Sequence, residues 1–148
     1  EAQKYKQQLD EAVRTKNPAW RGRFAMMRHT AVYHSEVERR AVLAAIRSVL
    51  GQFGNLMMQK GEVVNGFPEP VPFEALAGNA FVDADMLEEN LMFGSAEQVV
   101  EKLRRYESLG VDAFIYYASM GLGLWEQRRS LELFCERVMP QFTDGVVP

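Results

Sequence analysis

The fold class is predicted chiefly from residues 94–142, GSAEQVVEKLRRYESLGVDAFIYYASMGLGLWEQRRSLELFCERVMPQF. Ser95 and Gln98 are spaced as a capping box, in which each side chain accepts a hydrogen bond from a free backbone N–H at a helix start. Gly110 suits the left-handed conformation that ends a helix, and the apolar run 111–118 is typical of a strand covered on both faces. The stretch therefore predicts helix, strand and second helix in succession, as one unit of a larger α/β fold.

The second helix of this unit is expected to end at Pro140, because proline cannot continue a helix. Its predicted apolar stripe comprises Leu124, Leu131, Phe134, Cys135 and Val138. A cysteine on such a stripe is most often a small buried hydrophobe, so we expect Cys135 to be buried. A single cysteine cannot form an intrachain disulfide, and the expected compartment is the reducing cytoplasm.

Two blocks, GSAEQVVEKLRRYESLGVDAF and RRSLELFCERVMPQF, together resemble the C-terminal end of the bacterial luciferase-like monooxygenases, a flavin-dependent superfamily built on a (β/α)8 barrel. A whole barrel needs eight parallel strands and about 250 residues, whereas this chain has 148 residues. The resemblance therefore implies a C-terminal fragment of the barrel with about two strands, predominantly helical as an isolated chain. Because the chain begins at Glu1 without an initiator Met, we expect the earlier strands to precede it in a parent protein.

The other predicted elements are a polar helix over 1–16, a strand over 24–33, a long helix from Ser35 to about 58, and a short extended piece at 91–93. The resemblance places the strand over 24–33 as the seventh strand of the barrel. Ser35 and Glu38 form a second capping box at the start of the long helix. We expect Gly51 and Gly54 to interrupt that helix.

Residues 59–90 break the regular pattern, since they are rich in glycine and proline yet too apolar for a free linker. Such a segment is either a lid over a binding site or a loop that packs over a hydrophobic flank. The resemblance favours the lid, because luciferase-like proteins carry an insertion beside the flavin pocket at this place. The expected organisation is one domain portion over 1–148, with an insertion or lid at about 59–90.

Arg28 and His29 are pocket candidates because they are adjacent on the predicted seventh strand, where alternation turns one of them into the barrel. Ser119, which follows the next strand, could bind a ligand or merely cap the turn. His34 is either a proton carrier at the pocket rim or a solvated loop residue. The catalytic residues remain unknown, because the family places its flavin-phosphate site and most reactive groups on earlier strands.

Composition argues against several classes of partner. The net charge of −3 and pI near 5.5 give no reason to expect nucleic acid or an anionic membrane surface. No apolar run approaches a membrane span, and two histidines without a third ligand at a suitable spacing argue against a metal site. Two strands deprived of their neighbours would expose apolar edges, so we expect a homo-oligomer.

The resemblance implies that the parent is a flavin-dependent monooxygenase, an oxidoreductase that oxygenates a small organic substrate with reduced FMN and O₂ and is supplied by a flavin reductase. A deazaflavin-dependent oxidoreductase is one alternative. A non-catalytic helical self-association module is another. The isolated fragment is expected to be inactive and to hold no bound cofactor.

Overall fold

A computed structural model describes residues 2–20, 22–58, 61–72, 75, 83–118 and 121–142. In chain order the elements are α1 (Ala2–Lys16), β1 (Ala25–Val32), α2 (Glu36–Met58), β2 (Val63–Val64), β3 (Phe67–Pro68), α3 (Ala84–Asn90), β4 (Met92–Gly94), α4 (Ala96–Ser108), β5 (Ala113–Tyr117) and α5 (Leu124–Leu133). The mixed α/β, helix-rich character predicted from the sequence is confirmed.

The main sheet has three parallel strands in the order β4-β1-β5. β1 lies in the middle and pairs with β5 through its first half, from Ala25 opposite Ala113 onward. It pairs with β4 through its last residues, from Thr30 opposite Met92 onward. The short extended piece predicted at 91–93 is therefore a full member of the sheet, so the expectation of about two strands was too low.

The local signals at the helix ends give the structures that they predict. The N–H of Gln98 donates to Ser95 Oγ at 3.3 Å, and the N–H of Ser95 donates to Gln98 Oε1 at 2.8 Å, which completes the capping box of α4. Gly110 has a φ of 79°, in the left-handed region that glycine adopts without steric cost. The Ser35 and Glu38 capping box of α2 is also present.

α2 runs through both of its glycines, so the interruption predicted at Gly51 and Gly54 is wrong. Gly51 instead allows another part of the chain to approach the helix. The N–H of Val71 donates to the carbonyl of Gly51 at 3.2 Å, and a Cβ at Gly51 would lie 2.7 Å from the carbonyl oxygen of Val71. The glycine is therefore explained by this close packing.

The last helix departs from its predicted pattern. α5 ends at Leu133, and the chain continues as a π-helical turn, Phe134–Val138, and a 3-10 turn, Met139–Gln141, that contains Pro140. The face that meets the core follows Ser130, Phe134 and Val138, which are four residues apart. Phe134 and Val138 are buried as predicted, whereas three residues of the predicted stripe are exposed: Leu124, Leu131 and Cys135. The expectation that Cys135 is a core residue is wrong.

The core consists of two clusters on opposite faces of the sheet. On one face, α2 and α3 cover the carboxyl-terminal half of the strands, with Ile46, Leu87 and Phe93 buried against Ala31. On the other face lie α4, α5 and the π turn, which bury the cluster Val32, Met92, Ala96, Val99, Leu103, Leu133, Phe134 and Val138. On the amino-terminal half of the first face, Met27, Ile115 and Tyr117 are exposed. No helix in the described ranges has the length and apolar character to cross a membrane.

Candidate functional site

The two candidate residues on β1 point to opposite faces of the sheet. Arg28 lies on the face covered by α4, where its guanidinium is 6.0 Å from the Tyr106 ring centroid and donates to the carbonyl of Met27 at 2.9 Å. His29 lies on the other face, where its ring stacks on Tyr117 with the centroids 4.5 Å apart. Arg28 is therefore directed away from the open face of the sheet, and His29 towards it.

His29 carries an unused polar atom. Its Nδ1 is buried and has no hydrogen-bond partner among the residues that the structure describes. Burial lowers the pKa of His29 below its usual value, because desolvation disfavours the charged form. The imidazole is therefore neutral at pH 7, with one nitrogen able to donate and the other able to accept a hydrogen bond.

The surface around His29 is apolar and exposed. Met27 is 52% exposed, Ile115 48% and Tyr117 39%. Met27 is paired with Ile115 and His29 with Tyr117 across the two strands, so the four side chains form one continuous patch, which we call the open sheet face. An exposed apolar patch on an otherwise packed sheet is typical of a surface that contacts a ligand or another protein segment.

A polar cluster closes the carboxyl end of β1. The hydroxyl of Tyr33 donates to Glu88 Oε1 at 2.7 Å, and Arg39 donates to both oxygens of the same carboxylate, at 2.6 and 2.9 Å. The hydrogen bonds from Arg39 hold the pKa of Glu88 below its usual value. Burial and the neighbouring carboxylate raise the pKa of Tyr33. The cluster therefore joins β1, α2 and α3 through one charged carboxylate.

Lys102 fixes the other side of the same junction. Its ammonium donates to three backbone carbonyls, those of Glu88, Leu91 and Phe93, the last at 2.8 Å. Burial lowers the pKa of Lys102, although Glu88 works against this shift. With its three donors used, Lys102 has a structural role in joining α3 to β4.

His34, the second histidine candidate, lies beside α2 and is mostly exposed. Its Nδ1 is 2.8 Å from Glu38 Oε2, and its backbone N–H donates to the same oxygen at 2.9 Å. Burial opposes the charged form of Glu38, but the hydrogen bond and charge of His34 hold the pKa of Glu38 below its usual value. The contact links His34 to the capping box of α2 and leaves its role as a proton carrier untested.

A cavity of about 240 Å³ lies beyond the carboxyl end of β1, between the first turns of α2 and α5. Its floor is apolar, with Val32, Val42 and Leu122 buried. Glu126 and Arg129 on α5 contribute charged groups to its wall. Because ligands in parallel α/β sheets bind beyond the carboxyl ends of the strands, this cavity is the second candidate binding region, after the open sheet face.

The turn before α5 does not form a phosphate cradle. Gly123 caps the helix without a side-chain hydrogen bond, but the carboxylate of Glu126 lies 2.4 Å from where a Cβ of Gly123 would be. A negative charge already occupies the positive end of the helix, and it would repel a phosphate. Ser119, the third candidate residue, lies outside the described residues. Within those residues no group of three or more potential metal ligands comes together.

The comparisons with known proteins give one informative match. The oxygenase component of the flavin-dependent trigonelline monooxygenase of Acinetobacter baylyi is 26% identical over 122 residues. The chain is similar to a flavin-dependent monooxygenase. The match covers 82% of this chain but 34% of the monooxygenase, so the chain spans about a third of that relative. No protein-family model and no solved structure matches the chain.

The similarity to a flavin monooxygenase supports a distant relationship. This similarity does not indicate which of the residues described above would contact a ligand. One polar cluster was not predicted from the sequence: Tyr33, Arg39, Glu88 and Lys102. No local sequence pattern predicts it, because Tyr33 and Glu88 are 55 residues apart.

Proposed function

We propose that the parent protein is the oxygenase component of a luciferase-like flavin monooxygenase, which oxygenates a small organic substrate with reduced FMN and O₂. We further propose that this chain is the C-terminal part of its (β/α)8 barrel. The observation that carries the proposal is the 26% identity over 122 residues to a flavin-dependent monooxygenase component. β1 and β5 are parallel neighbours, as consecutive strands of such a barrel are, whereas β4 lies on the other side of β1 and departs from barrel order.

The open sheet face fits the planar ring system of a flavin. Met27, Ile115 and Tyr117 offer apolar contact surface, and the imidazole of His29, which stacks on Tyr117, extends that surface. When bound, the reduced flavin supplies the electrons that activate O₂. These side chains would exclude water from the ring and hold it against the sheet.

Arg28, Lys102 and Arg105 line one cavity in the described part of the chain, but Lys102 already donates to three backbone carbonyls and Arg105 pairs with Glu101, so few donors remain for the phosphate of FMN. The start of α5 is covered by Glu126, and Arg28 faces α4 rather than the open sheet face. The phosphate contacts would therefore lie in another part of the parent. Because the phosphate contacts would lie in another part of the parent, we expect the separate chain to bind FMN weakly and to be inactive.

Flavin binding by the parent, purified in its full reading frame, tests the proposal. We expect FMN to bind, and to bind more weakly after His29→Leu, because the substitution removes the aromatic ring that stacks on Tyr117. His34→Leu is the matched control, since it makes the same substitution at a mostly exposed histidine beside α2, away from the open sheet face. Tight binding of a deazaflavin without FMN binding would replace the proposal with a deazaflavin-dependent oxidoreductase.

Catalysis needs a separate measurement. The parent, a flavin reductase, NADH and O₂ should together convert a substrate to a product that is heavier by one oxygen atom. Labelling with ¹⁸O₂ should transfer the label to that product. Oxidation of reduced FMN without any labelled product, over a broad panel of small heteroaromatic acids, would count against a monooxygenase.

A self-association module is the second candidate, and the open sheet face is the observation that favours it. β5 is also an edge strand, because β1 is its neighbour on one side and no described strand lies on the other. A second copy could cover both features. Size-exclusion chromatography with light scattering would support this candidate if the native protein were a defined oligomer that holds no flavin.

A further inference from the structure

The hairpin of β2 and β3 leaves its apolar side chains in solvent although its base is held in place. Val63 is 64% exposed and Phe67 is 74% exposed. At the base, the amide of Asn55 donates to the carbonyls of Glu62 and Glu69, at 2.7 and 2.8 Å. Asn55 is itself buried. The chain therefore uses a buried side chain to position an arm whose apolar surface lies outside both clusters of the core.

Hydrogen bonding between the two strands of the hairpin alternates from pair to pair. Next to a two-residue turn such as Asn65-Gly66, the first pair is hydrogen-bonded and the second is not. The second pair is Val63 and Pro68. The third pair is bonded again, since the N–H of Glu69 donates to the carbonyl of Glu62 at 2.9 Å. The N–H and C=O of Val63 therefore point away from β3, on the outer side of β2.

Only one edge of the hairpin is able to add another strand. On the outer side of β3, the corresponding position is Pro68, which has no N–H to donate. On the outer side of β2, the N–H and C=O of Val63 have no hydrogen-bond partner among the described residues. The next outward N–H, that of Gly61, already donates to Asn55 Oδ1 at 2.9 Å. The free edge of β2 therefore offers a single donor, with the carbonyl of the same residue beside it.

We propose that this edge pairs with the same edge of a second copy of the chain, around a two-fold axis between the two Val63 residues. Residues that form a bonded antiparallel pair exchange two hydrogen bonds. The N–H of Val63 in each copy would donate to the carbonyl of Val63 in the other, giving a four-stranded sheet across two copies. Both copies contribute the same surface, as a two-fold interface requires. This inference is independent of the flavin chemistry proposed above.

The side chains suit the register of this pairing. Val63 and Pro68 are cross-strand neighbours on one face of the hairpin. Because the two copies of Val63 face each other, an apolar row of four side chains crosses the interface on that face. Glu62 faces Val64 of the second copy rather than its own equivalent, so the two carboxylates avoid the like-charge opposition that destabilises a sheet. The edge of β2 is therefore complementary to itself in hydrogen bonding, apolar surface and charge.

A second copy covers more surface than a single extended peptide would. In the paired register, Asn65 at the tip of one hairpin faces Gly61 of the other, which Asn55 ties to α2. Phe53 and Leu56 lie within two residues of Asn55 and are 51% and 59% exposed. The tip of each hairpin therefore approaches exposed apolar side chains on α2 of the second copy. A peptide would gain only the hydrogen bonds of Val63, whereas strand addition normally depends on a series of them.

The apolar area around the edge limits the strength of the dimer. Five side chains of the hairpin and the last turns of α2 are exposed: Phe53, Leu56, Val63, Val64 and Phe67. Together they expose roughly 300–500 Å² per copy, which is less than the ~800 Å² per partner of a standard stable interface. We therefore expect a reversible dimer that forms at micromolar rather than nanomolar concentrations.

Disulfide trapping on the full-length protein tests the pairing, in a background where Cys135 and any other exposed cysteine are replaced by serine. The Cα atoms of a bonded antiparallel pair are ~5.5 Å apart, within reach of a disulfide. Val63→Cys should therefore join two copies under mild oxidation, and most of the protein should run as a dimer on a denaturing gel without reductant. Glu62→Cys is the matched control, because its two copies are offset by two residues, ~6.8 Å along the strands, and should remain unlinked.

Two proline substitutions test the hydrogen bonds by sedimentation equilibrium. Val63→Pro removes the outward N–H without changing the bonds within the hairpin, so it should weaken the association at least roughly tenfold. Val63→Thr is its control, because it keeps both the N–H and the branched side chain, and it should have a smaller effect. Pro68→Val gives the outer edge of β3 a donor, so hairpins should then pair on both sides and form species larger than those of the wild type.

Three results would overturn the pairing: no cross-link in Val63→Cys, equal cross-linking in Glu62→Cys, or wild-type association in Val63→Pro. Circular dichroism of each variant checks that it remains folded. The trapping result decides the matter if Val63→Pro disturbs the hairpin, because the cysteine variants keep every backbone N–H.

Discussion

Replacing Ser130 with alanine should lower the free energy of unfolding by about 2–4 kcal/mol. Ser130 is 4% exposed and joins three elements. Its Oγ accepts the N–H of Val32 at 2.7 Å and lies 2.8 Å from the hydroxyl of Tyr116. β5 stops opposite His29, so the N–H of Val32 extends past the strand that would otherwise pair with it. The serine on α5 takes the place of that missing strand.

The magnitude follows from what the substitution leaves behind. The N–H of Val32 would be buried without a partner, at a cost of about 1–3 kcal/mol, and loss of the Tyr116 contact adds about 1 kcal/mol. Urea unfolding should show a lower midpoint with an unchanged slope, since the exposed surface on unfolding is the same. Ser108→Ala is the matched control, because its hydroxyl bonds an exposed carbonyl of Arg105, and it should change stability by less than about 0.5 kcal/mol.

Tyr116→Phe separates the two contacts of Ser130. It removes one hydrogen bond but leaves the N–H of Val32 satisfied, so we expect a loss of about 1 kcal/mol. In the double variant, the two losses should not add, because both remove the same bond between Tyr116 and Ser130. A Ser130→Ala protein within about 0.5 kcal/mol of the wild type would refute this account of the serine as a replacement for a strand.

Three further predictions concern the other polar contacts. Ser95→Ala should cost about 1 kcal/mol in urea unfolding, because it removes the cap of α4. Asn55→Ala should raise amide hydrogen exchange at residues 61–69, since its buried side chain bonds the backbone of Gly61, Glu62 and Glu69; unchanged exchange there would contradict a clamping role. Glu88→Gln should cost about 1–3 kcal/mol at pH 7. The pKa of Glu88 is lowered on folding. The contribution of its carboxylate to the free energy of unfolding is therefore complete above the pKa of the unfolded chain, and it is lost as the pH falls through the pKa of the folded protein. The difference in the free energy of unfolding between wild type and variant should shrink below about pH 4.5.

Features with local determinants could be predicted from the sequence. The capping box at Ser95 and the left-handed Gly110 each depend on residues within one helical turn, and both are present. The hairpin of β2 and β3 also had a local signal, because Asn65-Gly66 is the preferred pair where both turn residues need positive φ, here 51° and 83°. It was missed because the surrounding glycines and prolines suggested an irregular segment.

The features that were not predicted depend on distant residues. Val32 and Ser130 are 98 residues apart, and no periodicity connects them. Cys135 is exposed because the face that meets the core follows Ser130, Phe134 and Val138, and hydrophobic periodicity does not mark the polar Ser130 as a buried residue. In the candidate site, alternation showed that Arg28 and His29 differ in direction, but only the strand register in the structure shows that His29 lies on the open sheet face.

The described parts of the 59–90 segment behave as extensions of α2 rather than as a free flap. Asn55 on α2 holds the β2–β3 hairpin through three hydrogen bonds to its backbone. Arg39, also on α2, holds α3 through both oxygens of Glu88. Opening the first contact would leave the buried amide of Asn55 without partners, at about 1–3 kcal/mol; opening the second would separate a partly exposed ion pair. If the segment borders a flavin pocket, as we propose, these contacts therefore favour a fixed wall, and any closing motion would have to carry α2 with it.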